Sequence, residues 1–278
     1  MSDRRAEVER HYGRGGLIDR VLAALAEAGK DVEHLTIDDL APIDEFHSRR
    51  RLATEELARM LAPQPGDRLV DIGSGLGGPA RYLAKMCGCR VTGVDLTAEF
   101  VAAAAELTRR SGLSAEVDFR QGSALELPLA DGSFDLAWSQ NVAMNIADRP
   151  GYYGEVRRVL KSGGRFAIQD VTRGPAGEPH YPVMWADTPT TSFLHPPEAT
   201  RGMLERAGFT VIAWQDNTDS AIAEAEAERA RAAASPDGRP VLGLHLVVGP
   251  SFTEKAGNSR RNMIENRIRL INAVVRRD

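Results

Sequence analysis

Nine residues, Val70-Asp71-Ile72-Gly73-Ser74-Gly75-Leu76-Gly77-Gly78, constrain this chain more than any others. They follow a strand signal and precede a helix signal. Glycines leave the backbone bare, so a ligand can approach it closely. The helix start behind them offers unpaired N–H groups to a polar or anionic group. A second acid, Asp95, ends the next hydrophobic run, 20 residues after Gly75. An acid at the tip of a second strand suits a ribose diol. The order strand, glycine loop, helix, strand, acid points to an adenosine-type cofactor held by a βαβ unit.

The rest of the chain keeps that rhythm. Strand patterns fall at 68–72, 90–95, 115–120, 134–139, 165–171, 209–215 and 268–275. Helical spacing falls between them at 78–86, 99–111, 151–159 and 197–207. Such alternation predicts an α/β fold: a Rossmann-like, seven-stranded, mainly parallel sheet with helices on both faces. Residues 1–62 read as a helical N-terminal cap, with helices at 16–29 and 51–62 and a turn-like stretch between them to Pro42. Residues 63–278 then form the main unit of a single-domain chain. Its rhythm breaks at 217–266, which reads as a late insertion: an exposed Ala-, Glu- and Arg-rich helix at 221–234, a loop at 237–240, and a helix at 253–266. Cap and insertion are the expected lid and substrate walls.

Composition narrows the function. A net charge of −4 argues against a general attraction to nucleic acid or anionic lipid. The longest apolar runs stop short of a membrane span. The first seven residues mix charges and lack a signal-peptide core, so a cytoplasmic location is expected. Cys87 and Cys89 lack metal-ligand spacing, and the histidines are scattered. No metal is expected, and a homodimer is only the base-rate expectation.

Four segments, Val70–Gly78, Gly93-Val94-Asp95, Pro128-x-x-Asp131-Gly132-Ser133-Phe134-Asp135 and Leu160-Lys161-Ser162-Gly163-Gly164, resemble in order and spacing the motifs of class I methyltransferases that use S-adenosylmethionine. The flanks, Asp44-Glu45-Phe46-His47-Ser48-Arg49, Gly77-Gly78-Pro79-Ala80-Arg81, Trp138-Ser139-Gln140, Pro182–Ala186 and Asn262–Arg267, resemble the type 11 subgroup around sarcosine/dimethylglycine N-methyltransferases. Two places depart from that pattern. Asn141-Val142-Ala143-Met144-Asn145 stands where the glycine-betaine-pathway enzymes carry Asp and His, and Arg50 stands where glycine is expected.

The resemblance implies cofactor roles. Gly73, Ser74, Gly75 and Gly77 would cradle the methionine part, and Asp71 would orient its ammonium end. Asp95 would bind the ribose hydroxyls, with Leu96 against the adenine and Ser123 and Ala124 near its amino group. Gln140 would begin the loop facing the sulfonium. S-adenosyl-L-homocysteine would be the product. On the substrate side, His47 is either a general base or a polar contact, and His180 is a second candidate base. Arg49 either binds a substrate carboxylate or belongs to a solvated basic face. Asn141, Met144 and Asn145 fall where substrate is expected. Tyr181 and Trp185 could meet a methylammonium or the sulfonium by cation–π contact, or pack in the core. The expected function is methylation of a small-molecule acceptor, with the amine of a glycine-like acid such as sarcosine or dimethylglycine the first choice. A carbon or oxygen of a lipophilic metabolite is the alternative, and a non-catalytic cofactor-binding partner protein is the third.

Overall fold

The structure, a computed structural model, describes residues 15–234 and 241–278. The expected loop at 237–240 and the first residues of the chain fall outside them. Seven strands form one sheet: β1 (Arg68–Ile72), β2 (Arg90–Asp95), β3 (Val117–Gln121), β4 (Phe134–Gln140), β5 (Leu160–Arg173), β6 (Phe209–Asp216) and β7 (Ile268–Arg277). Their order is β3-β2-β1-β4-β5-β7-β6. The first five strands are parallel, and β7 runs antiparallel to both β5 and β6. The chain reverses its direction of travel across the sheet between β1 and β4. A crevice opens at the carboxyl ends of strands at such a switch point, and ligands bind there.

Period-2 alternation along the strands builds two cores. Val70, Ile72, Ala137, Phe166 and Ile168 face α6 (Arg149–Val159) and α7 (Pro197–Arg206), meeting Tyr152, Val156 and Leu204. Leu69, Leu136, Trp138 and Ala167 face the other way, onto α3 (Arg50–Leu61) and α4 (Gly78–Cys87), meeting Leu57, Leu61 and Leu83. A third core joins the N-terminal helices α1 (Leu17–Glu27) and α2 (Ile37–Asp44) to α5 (Ala98–Arg110) through Leu25, Leu40, Ile43, Phe100 and Leu107. A fourth lies under α8 (Thr218–Ala234) and carries Met144, Trp185, Ala221 and Leu270. The short α9 (His245–Val248) and α10 (Phe252–Ile264) complete the wall beside it.

Two expectations need correction. The turn-like stretch ends sooner than expected: residues 30–36 are turn and coil, but Ile37–Asp44 is the helix α2, with Pro42 inside it. Thr36 accepts from the Asp39 N–H and Asp39 accepts from the Thr36 N–H, a reciprocal cap that starts the helix despite the proline. Strand β5 begins five residues early, at Leu160. Phe134 pairs with Leu160 and Leu136 with Arg165, so the Lys161–Gly164 turn is an excursion within the strand. None of the described helices is long and apolar enough to cross a membrane.

Candidate functional site

A cavity of about 820 Å³ opens at the carboxyl ends of β1, β2 and β4. Its volume lies in the range of small-molecule and cofactor sites. Strand β1 delivers Asp71 to its floor, and the glycine loop turns over it. Gly73 has a φ of 74°, and a methyl group there would collide with the side chain of Val142. Gly75 faces open space with a φ of 52°, leaving bare backbone toward the cavity.

Asp71 is buried, and its Oδ2 has no hydrogen-bond partner. Burial, with the nearby charges of Asp95 and Glu45, pushes its carboxyl up to about 8. A buried carboxyl with an orphaned oxygen on a cavity floor suits a cationic ligand group. Asp95, at the tip of β2, is preoriented: its Oδ2 accepts from Gly75 N at 2.8 Å and its Oδ1 from Thr97 N at 2.9 Å. Each oxygen keeps a further lone pair for a hydroxyl. Burial raises Asp95 above its ordinary range, and these N–H groups oppose the rise. Leu96, Ser123 and Ala124 border the same end. The Ser123 hydroxyl closes its own turn by accepting from Leu125 N at 3.1 Å. These features fit a cofactor with an ammonium end and a ribose.

The opposite end is apolar. Met144, Met184, Trp185, Phe193, Met263 and Leu270 wall it. Trp185 is buried and donates its indole N–H to Ser192 Oγ at 2.9 Å, which fixes the ring as a wall. Asn145 also lines the cavity, but its amide donates to the carbonyls of Trp185 (2.9 Å) and Thr191 (2.8 Å), tying two loops together. Asn141 lines the cavity in a left-handed conformation, φ 52°, with its Oδ1 unpartnered. His47 and Gln140 meet between the two ends, with Gln140 Nε2 3.3 Å from His47 Nδ1.

Fourteen of the eighteen expected site residues line this cavity; Gly77, Arg49, His180 and Tyr181 do not. Gly77 instead caps α4, and a Cβ there would meet the Phe119 ring at 2.5 Å. Arg49 is turned away: it forks onto Glu56 at 2.6 and 2.9 Å and reaches Glu224 of α8 at 2.6 Å. Those carboxylates, Glu56 first, hold its guanidinium charged against the effect of burial. His180 is a fastener between its loop and α10, with Nε2 2.8 Å from Glu265 Oε2 and its backbone bonded to Asn262. Tyr181 borders a separate cavity of about 280 Å³ with Arg173 and His195. The sequence reading gave no role to Glu45, which lies 2.9 Å from His47 Nε2 just outside the cavity lining; an acid two residues before His47 was the available signal. Met184 and Phe193 belong to the apolar loop 181–193 that motivates the lipophilic alternative, whereas Met263 and Leu270 were missed, because only the tertiary fold brings them to the cavity.

The cap and insertion are joined by ion pairs. Besides Arg49–Glu224, Arg50 pairs with Glu228 at 3.2 Å; within the insertion, Arg260 pairs with Glu226 at 2.9 Å, tying α10 to α8. Arg49 and Arg50 both have positive φ, 66° and 45°, the region that favours glycine. This accounts for the glycine expected at position 50.

Comparison with known proteins agrees with this architecture. The family described as a methyltransferase domain (type 11) matches residues 70–168. A sarcosine/dimethylglycine N-methyltransferase of Halorhodospira halochloris is 30% identical over 223 residues, covering 78% of this chain and 77% of that protein. A sterol 24-C-methyltransferase of Gibberella zeae is 36% identical over 123 residues, 44% of this chain and 32% of that protein. Several other curated relatives are spanned for 33% to 65% of their length. Among solved structures, a geranyl diphosphate C-methyltransferase of Streptomyces coelicolor superposes with a TM-score of 0.72 at 19% identity, covering 99% of this chain and 98% of that one. The chain belongs to the class I S-adenosylmethionine-dependent methyltransferases, in the type 11 group.

Proposed function

We propose that this protein methylates a small, largely apolar acceptor at an oxygen or an acidic carbon, with S-adenosylmethionine as the methyl donor. The observation that carries the reading is the acceptor end of the cavity. Methionine, aromatic and leucine side chains wall it, and Arg49, the cation the sequence offers to a carboxylate, is engaged by Glu56 and Glu224 outside it. Arg269 is the one Arg or Lys on the cavity lining among the described residues, and it already pairs with Asp216 at 2.7 Å.

Asp71 would take the ammonium end of the cofactor and Asp95 the ribose hydroxyls. Leu96, Ser123 and Ala124 would border the adenine, and the bare backbone at Gly73 and Gly75 would pass the methionine part. The bound cofactor supplies an electrophilic methyl group on a sulfonium. The chain's own residues align the acceptor with it, exclude water, and remove a proton. His47, buried beside Gln140 on the cavity lining, is the base of this reading.

A second reading, N-methylation of a glycine-like amine, is favoured by the relative that matches over three quarters of both chains. Purified protein with labelled S-adenosylmethionine, offered phenols and enolisable dicarbonyls alongside sarcosine and dimethylglycine, separates the two. Transfer to the apolar acceptors is expected. Transfer to the polar amines alone would replace this reading with the second. Cofactor binding without turnover on any acceptor would favour a non-catalytic partner protein.

A further inference from the structure

Glu45 is a fully buried carboxylate that the reading above does not use. Three donors surround it. Arg51 Nε reaches Oε1 at 2.6 Å, Thr54 Oγ1 reaches Oε2 at 2.7 Å, and His47 Nε2 lies 2.9 Å from Oε2. Burial alone would raise this carboxyl, but His47, Arg51 and Thr54 outweigh it and hold Glu45 below its ordinary value. An ionised carboxylate only accepts hydrogen bonds, so His47 Nε2 carries the hydrogen between them.

The same tautomer follows from the opposite side of the ring. The Trp138 indole N–H can only donate, and it reaches Gln140 Oε1 at 2.9 Å. That contact settles which end of the Gln140 amide is oxygen. Its NH2 group then faces Gln169 Oε1 at 3.1 Å and His47 Nδ1 at 3.3 Å. A nitrogen that receives a hydrogen bond presents a lone pair, so Nδ1 is bare. The carbonyl of Ser48 lies 3.3 Å from the same Nδ1 and can only accept. Nδ1 thus has a donor neighbour for its neutral state and an acceptor neighbour for its protonated state.

We propose that Glu45 is a positioning residue that holds His47 in the Nε2–H tautomer and makes Nδ1 the proton-accepting nitrogen of the cavity. During transfer the acceptor's oxygen or carbon supplies the electron pair for the new bond to the methyl carbon. The methyl–sulfur bond breaks with its pair going to sulfur, which leaves a neutral thioether. The acceptor's proton passes to His47 Nδ1, directly or through one water, rests against the Ser48 carbonyl, and is later lost to water. Only this last part rests on the methyl-transfer reading; the tautomer stands without it.

The test is a long-range 1H–15N imidazole correlation spectrum of 15N-histidine-labelled protein, with His47→Asn to assign the signals and no acceptor present. The wild type should show His47 with a protonated Nε2 and a bare Nδ1. A protonated Nδ1 with a bare Nε2, or an average of the two tautomers, would overturn the proposal. In Glu45→Gln, Arg51 keeps the amide oxygen and leaves an NH2 group facing His47, so the hydrogen should move to Nδ1. Glu45→Asp should return it to Nε2. A folded Glu45→Gln protein, verified by its thermal melt, that retains the wild-type tautomer would remove Glu45 from the mechanism. Once an acceptor is found, Glu45→Gln should lower kcat at least tenfold with KM changed less than threefold. A wild type that turns over no acceptor but shows the expected tautomer would refute the methyl-transfer reading and leave this assignment intact.

Discussion

The unpartnered Asp71 carboxyl should make cofactor binding release a proton. With this carboxyl at about 8, only about one molecule in a hundred holds it ionised at pH 6, and about half do at pH 8. The cofactor ammonium needs the ionised form. Apparent affinity should therefore climb about tenfold from pH 6 to pH 7 and more slowly above, about 25-fold between pH 6 and pH 8, which is ~1.9 kcal/mol. The cofactor's own amino group loses half its charge by about pH 8, so the gain should level off there. Titration calorimetry in buffers of low and high ionisation enthalpy reads the proton directly, close to one released at pH 6 and little net release at pH 8, where the cofactor's amino group takes up about what Asp71 gives. Asp71→Asn should abolish the pH slope and weaken binding at pH 7 by at least ~1.4 kcal/mol. The same carboxyl opposes the cofactor-free fold. Its folded value lies above its unfolded one, so the protonated form is stabilised, and that stabilisation fades as pH rises from about 4 through about 8. Cofactor-free Asp71→Asn should accordingly melt higher than the wild type at pH 8. Flat affinity between pH 6 and 8 with buffer-independent heats would refute this account of Asp71.

Asp95→Ala removes the acceptor of Gly75 N and Thr97 N together with the ribose partner, and calorimetry should record a loss of affinity of about tenfold or more; affinity within about twofold of wild type would exclude Asp95 from the site. Gly73→Ala drives a methyl group into Val142 at a φ of 74° and should both lower the melting temperature and weaken cofactor binding, so unchanged values would contradict the packing of the loop. Arg81→Met strands buried Asp44, whose Oδ2 now accepts from Arg81 at 2.7 Å, and should cost about 3–5 kcal/mol in urea unfolding. A loss under about 1 kcal/mol would show that Asp44 finds another partner. Arg49→Gln should leave cofactor affinity within about twofold while loosening α8, seen as faster proteolysis there; a large loss of cofactor affinity would return Arg49 to the ligand site.

What the sequence made legible was local. Strands β1 and β2 and the glycine loop between them follow from a few contiguous residues whose conformational needs are strict, and their boundaries at Arg68–Ile72 and Arg90–Asp95 agree with expectation. The reading failed where a partner lies far along the chain. Arg49 looks like a free cation until Glu224, 175 residues later, is folded against it. His180 looks like a base until Glu265, 85 residues later, reaches it. Helix α2 was hidden because Pro42 outweighed the Thr36–Asp39 cap, although that cap is written within four residues. The apolar end of the cavity is assembled from four separate stretches of chain, so no single window of sequence displays all of it.

The placement of β7 has a consequence for the order of assembly during synthesis. Strand β6 joins the sheet only through β7, which is made later. The five parallel strands, the glycine loop and the two carboxylates proposed to hold the cofactor, Asp71 and Asp95, precede residue 174. Ile268, Arg269 and Leu270 of the cavity lining arrive with β7 itself. Along a growing chain, competence to hold the cofactor should therefore precede competence to enclose an acceptor. Ribosome-stalled chains of increasing length would reveal two separate steps, and a single step would mean that the cofactor half cannot form until β7 covers the open edge of β5.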